Sequence, residues 1–221
     1  MVTEEELLRE AEEAEKDLEK EEESSRRSPL WIIMALGLAL LIVAMVLPAK
    51  YFGQDKNPHD IPSLEDVQDL VVLSSCVNVT TMLGCIHPAE VKAVANKIVV
   101  SSCPDNKVCH AKALYYFVRD EVYYVSDPPD EYYESAAETI LTGGADCDGN
   151  AILLANLLQA TGFHTRFVYV PRHTYVQMLL PSAPGRYKDD GNWINLDPTC
   201  DYCEFGEIPD SSKGVPKSYL G

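Results

Sequence analysis

The chain has 221 residues, of which 46% are apolar, enough for one domain with a substantial core plus additional segments. Its 18 basic residues against 35 acidic ones give a formal net charge of -17, which excludes a basic face for nucleic acid phosphates. Residues 1–27 hold 12 acids and 5 bases, leaving 23 acids against 13 bases beyond them, so the acidity is not confined to a tail.

Residues 4–23 are almost all Glu, Lys, Arg, Ala and Leu behind Thr3, a composition that predicts a charged helix. Leu7, Ala11, Ala14 and Leu18 keep the spacing of an apolar seam over only two heptads. A solvated tail and weak self-association through this helix are the two readings. Residues 28–49 then carry no charge, a length that spans roughly 30 Å of hydrocarbon and predicts a transmembrane helix. Arg26 and Arg27 abut its N-terminal end, which keeps the N-terminus cytoplasmic and exports the remainder. The long acidic leader and the lack of an A-x-A site favour an uncleaved signal anchor over a cleaved signal peptide. The expected location is therefore the cell membrane, single-pass, with residues 50–62 as a linker and 63–221 as an extracellular domain.

Within that domain, Ser63 and Asp66 resemble a capping box opening a short helix toward Leu73. Further helices are predicted from Pro88 to about Val100, over 107–122 and over 132–141, the last stopped by Gly143. The run Gly143-Gly144-Ala145-Asp146-Cys147-Asp148-Gly149-Asn150 turns sharply into a helix. Its apolar stripe is Ala151, Leu154, Ala155 and Leu158, and Thr161-Gly162 ends it. The period then becomes extended. Residues 165–170 and 174–180 are β-rich runs joined through Pro171-Arg172, and 192–196 is a third behind a loop rich in Pro and Gly. Helices followed by an antiparallel sheet define an α+β fold.

All seven cysteines lie beyond the apolar segment, at 76, 85, 103, 109, 147, 200 and 203. An exported chain with an odd count leaves one thiol unpaired, and sequence proximity joins Cys76 to Cys85, Cys103 to Cys109 and Cys200 to Cys203. The thiol left over is Cys147. Two rival readings are a zinc site on Cys103, Cys109, Cys200 and Cys203, and a redox pair at Cys200 and Cys203. Asn78-Val79-Thr80 is a glycosylation sequon on the same side.

A cysteine in the first turn of a helix faces unpaired N–H groups and the positive dipole end, which favour the thiolate. Asp146 and Asp148 oppose this, so a neighbouring cation is needed. Of the five histidines, His59, His87 and His110 read as structural or exposed, while His164 and His173 both start strands. His173 has the better partner. Setting it opposite Asp197 on an antiparallel neighbour centres the connection on residue 185, (173+197)/2, inside the Pro and Gly loop. Asp197 would then orient the imidazole while its other nitrogen meets the sulfur.

These residues carry a resemblance. The run 144–151, the run 157–166, His173-Thr174-Tyr175-Val176-Gln177 and Trp193-Ile194-Asn195-Leu196-Asp197-Pro198-Thr199 resemble the core of the transglutaminase-like superfamily of microbes. Residues 113–124 are similar to the helix that precedes that core. The resemblance implies a papain-like α+β fold with a catalytic triad on Cys147, His173 and Asp197. Asp148 stands where animal transglutaminases carry Trp, so their calcium-activated crosslinking is not expected. The backbone N–H of Cys147 is the expected oxyanion donor.

The function expected is a membrane-anchored extracellular cysteine protease or amidase that cleaves, or transfers, amide acyl groups of a protein or peptide substrate through a Cys147 thioester. No cofactor or metal site is expected, and no nucleic acid partner. Transglutaminase-type crosslinking, a non-catalytic binding ectodomain on the same fold, and disulfide exchange at Cys200 and Cys203 are the alternatives.

Overall fold

A computed structural model describes residues 9, 12–13, 15–21, 32–43, 56–71, 73, 75–76, 81–103, 105–126 and 132–221. The chain divides into two units, Met1–Phe52 and Gly53–Gly221. In the first, residues 15–21 and 32–43 are helical and exposed. No helix among the described residues is long and apolar enough to cross a membrane. The outer parts of the predicted span 28–49 lie outside the described residues, as do the start of the charged helix and the sequon at 78–80.

The second unit begins differently from expectation. Instead of an α-helix running to Leu73, Ser63 is followed by a turn and a short 3-10 helix, Gln68–Leu70. The Ser63 hydroxyl donates to Asp66 at 2.8 Å rather than accepting a backbone N–H, so the capping box does not form. Two helices in contact follow, α1 (Lys92–Ser102) and α2 (Lys107–Glu121). α1 starts four residues later than predicted because Pro88 to Val91 form turns. Asn106 caps α2 by accepting from the Cys109 N–H at 3.0 Å. The helix α3 (Ala136–Thr142) is shorter than predicted. It opens on a reciprocal box, with the Ser135 side chain taking the Glu138 N–H and the Glu138 carboxylate taking the Ser135 N–H. Gly143 ends it at φ 77°, a conformation that needs no Cβ.

The helix α4 (Cys147–Ala160) is the centre of the domain. Seven of its apolar positions are at most 1% exposed, among them Ile152, Leu153, Leu154 and Leu157. It is therefore buried on every side, between α1, α2 and α3 and a four-stranded antiparallel sheet. The strands are β3 (His164–Val170), β4 (His173–Leu179), β5 (Trp193–Leu196) and β6 (Ser218–Leu220), in the order β5-β4-β3-β6. Phe167, Val176, Met178, Ile194 and Leu196 turn one sheet face into this common core. On the other face, the Arg166 guanidinium lies 4.1 Å from the ring centres of both Trp193 and Tyr219. That stack ties the two outer strands to β3. The strand β6 was not anticipated from sequence, nor was the short parallel pair β1 (Tyr123–Tyr124) and β2 (Gly144–Ala145).

Candidate active site

The residues at the start of α4 are held by their own local chemistry. Asp146 is the N-cap, its carboxylate accepting the N–H groups of Asp148 at 3.0 Å and Gly149 at 3.3 Å. The Asn150 amide donates to the carbonyls of Ala145 and Asp146, both at 2.9 Å, which closes the turn leading into Cys147. A Cβ on Gly149 would fall 2.6 Å from both the Ala145 Cβ and the Glu134 Oε2, so only glycine fits there. Cys147 is then the first residue of the helix, half-buried, and the only free cysteine.

His173 reaches the sulfur from the sheet. Pro171 and Arg172 form the two-residue turn of the β3–β4 hairpin, with Arg172 at φ 64°, so that His173 is the first residue of β4. Its Nε2 lies 2.7 Å from Asp197 Oδ2, and the ring also hydrogen-bonds the Cys147 side chain, which leaves Nδ1 for the sulfur. Burial alone would strip the proton from this imidazole. The hydrogen bonds to Asp197 and Cys147, with their negative charges, outweigh it and push the pKa up to about 10. At neutral pH the ring is an imidazolium bridging a sulfur and a carboxylate. Asp197 itself is fully buried, and its second oxygen accepts the Thr199 N–H at 3.2 Å and the Thr199 hydroxyl at 2.9 Å.

The pairing register differs from the one expected. Val176 faces Leu196 and Leu179 faces Trp193, a pair sum of 372 rather than 370, so extending the ladder sets His173 against Thr199. His173 and Asp197 are therefore diagonal neighbours on one sheet face, which a long imidazole spans without difficulty. The connecting loop is centred on the short 3-10 turn Gly185–Tyr187. His164 faces Leu179 at the opposite end of the hairpin, six residues from Val170, about 20 Å away at the rise of a strand. His87 contacts the Gly84 carbonyl at 3.1 Å and His110 the Cys103 carbonyl at 2.6 Å, both local structural roles.

Three disulfides join Cys76 to Cys85, Cys103 to Cys109 and Cys200 to Cys203. The four-cysteine zinc reading fails on this pairing. Cys200 and Cys203 are 5% and 2% exposed, and that burial disfavours them as an exchange site.

Other residues escaped the sequence reading. Tyr124 lies in register with Ala145, two residues before Cys147, and its phenol is held above its usual range by burial and then by the negative charge of Cys147. It flanks the sulfur while remaining 58% exposed. Thr199 fixes Asp197 through a two-residue Asx turn. Glu134, Asp146 and Asp148 bring carboxylate oxygens within 4.8 Å of one another, a set with the chemistry to hold a cation. Asp146 and Asp148 also serve the helix N-terminus. A shallow cleft of about 210 Å3 opens beside His173, floored by Asp197 and Thr199 and rimmed by Tyr202.

Residues 92–198 match the family model of the Transglutaminase-like superfamily, from the first residue of α1 to one past Asp197. This stretch of the chain belongs to that superfamily. Among solved structures, the chain resembles LapG of Legionella pneumophila at 17% identity and a TM-score of 0.44, covering 73% of this chain and 84% of that one. A Cytophaga hutchinsonii chain named as a candidate cysteine protease matches at 18% identity and 0.43, covering 71% and 51%. The periplasmic domain of TgpA from Pseudomonas aeruginosa matches at 16% and 0.38, covering 56% and 50%. No curated protein matches the chain.

Proposed function

We propose that this chain is a thiol hydrolase of peptide or amide bonds, with Cys147 as nucleophile, His173 as the proton carrier and Asp197 as the group that orients it. The observation that carries the reading is the position of His173, hydrogen-bonded to Cys147 on one side and 2.7 Å from a fully buried carboxylate on the other. A cysteine nucleophile needs a base within hydrogen-bond reach and a third group to fix that base.

The Cys147 thiolate adds to the amide carbonyl, and the carbon–nitrogen bond breaks as the His173 imidazolium protonates the departing amine. Neutral His173 then takes a proton from water as the water attacks the Cys147 thioester, and the carboxylic acid leaves with the thiol regenerated. An amine in place of water would give transfer instead. Water is favoured because no built amine pocket flanks the sulfur among the described residues. The start of α4 supplies the Cys147 N–H to the oxyanion.

The same proposal places the domain outside the cell, tethered by 28–49 as a signal anchor. The support is the 22-residue uncharged run behind Arg26 and Arg27, together with three disulfides in 63–221. The test is a peptide-library cleavage assay on the full chain and on Cys147→Ala. Cleavage by the former alone is expected, and turnover retained by Cys147→Ala would refute the mechanism.

A further inference from the structure

Tyr115 is fully buried near the middle of α2, yet its hydroxyl is spent on the backbone of another segment. Its single proton is shared between the carbonyl of Asp197 at 3.2 Å and the carbonyl of Cys203 at 3.0 Å. Those two carbonyls are the first and last of a seven-residue loop. The loop is also closed on itself, by the Cys200 N–H on the Asp197 carbonyl at 3.3 Å and by the Cys200–Cys203 disulfide. Arg119, one turn further along α2, donates to the same Cys203 carbonyl at 2.7 Å and lies 4.5 Å from the Tyr116 ring centre.

A phenol hydroxyl in a core is costly unless its hydrogen bonds repay the lost water, and the ring alone would pack equally well as Phe. The Tyr115 ring already has its apolar partner in Phe205, edge-on at 6.1 Å. What the hydroxyl adds is a fixed distance between α2 and both ends of the loop that presents Asp197. Burial pushes this phenol above its ordinary range, outweighing the opposing charge of Arg119, so it remains a donor throughout the pH range of the chemistry.

We propose that Tyr115 is a positioning residue for the Cys147, His173 and Asp197 group, its hydroxyl setting the depth and angle at which the Asp197 carboxylate meets the His173 ring. This rests on the thiol hydrolase reading. Tyr115 touches neither sulfur nor substrate and acts through Asp197.

The test is Tyr115→Phe in the full-length protein, read by histidine-selective 15N NMR titration of His173 and by the rate of Cys147 alkylation with iodoacetamide near pH 6. The expected results are a lower titration midpoint for His173 and alkylation slowed about tenfold. On any peptide the wild type cleaves, kcat should fall about tenfold with KM within twofold. An unchanged titration and alkylation rate in a variant with native near-ultraviolet circular dichroism would overturn the proposal. Should Tyr115→Phe not fold, Arg119→Gln decides, since it removes one bond to the same loop. A smaller shift in the same direction supports the role, and unaltered values overturn it. Neither readout needs a substrate. A wild type that cleaves nothing sinks the hydrolase reading, while the His173 titration still judges Tyr115.

Discussion

His173 sits between the Cys147 sulfur and the buried Asp197 carboxylate in a poorly solvated place. Its side chain is 22% exposed, so water screens the Asp197 contact only in part. Asp197→Asn keeps the volume and removes the charge. It should lower kcat by about 10³ to 10⁴ and move the His173 midpoint down, both measurable on one preparation. His173→Ala should abolish turnover. In the wild type kcat/KM should decline as the pH rises through about 10, where the imidazolium loses the proton it gives to the leaving amine. A profile already falling at pH 7 would contradict an ion pair of this strength. Cys147 and its two partners were legible in the sequence because each sits at a marked junction: a glycine turn into a helix, a Pro-Arg turn into a strand, and an Asp-Pro strand end. Thr199, Tyr115 and Tyr124 were not. Their contacts depend on tertiary register, and nothing in residue type or spacing separates them from ordinary core or surface residues.

At the scale of elements, the strongly periodic helices α2 and α4 and the strand runs of β3, β4 and β5 were read within a residue or two. Ser63 misled because a single Asp66 oxygen, Oδ2, accepts both the Ser63 N–H and the Ser63 hydroxyl, a local pairing that favours a turn over an α-helix. The β-ladder register slipped by two because loop length alone does not fix the pairing across a loop centred on a 3-10 turn. The strand β6 is three residues long, and β1 and β2 are two each, too short for any period to show. The entry to α4 is built around the smallness of Gly149. Gly149→Ala should cost about 1 to 3 kcal/mol in urea denaturation, since the added methyl must displace the Glu134 carboxylate and Ala145. Ser135→Ala should cost about 1 kcal/mol by removing half of the box that starts α3. A loss for Ser135→Ala larger than that for Gly149→Ala would show that the α4 entry is looser than drawn.

In the unit Gly53–Gly221, one buried helix packs against three other helices and a sheet, and Cys147, the proposed nucleophile, sits at its N-terminus. His173 also couples stability to pH. Its ordinary value near 6.5 is raised to about 10 in the native state. The folded protein therefore keeps a proton that the unfolded chain releases across that window, and stability falls as the pH rises through it. The stabilisation is fully present below about 6.5. Denaturation of wild type and His173→Ala at pH 6 and pH 9.5 should show a smaller pH-dependent loss in the variant, and equal losses would contradict this coupling. The central claim is most directly tested by iodoacetamide labelling of the purified chain at pH 6 to 7, with every cysteine mapped. The account predicts fast modification at Cys147 alone, the other six being paired, and slowing of at least about tenfold in His173→Ala. An inert Cys147, or labelling that His173→Ala leaves unchanged, would contradict it.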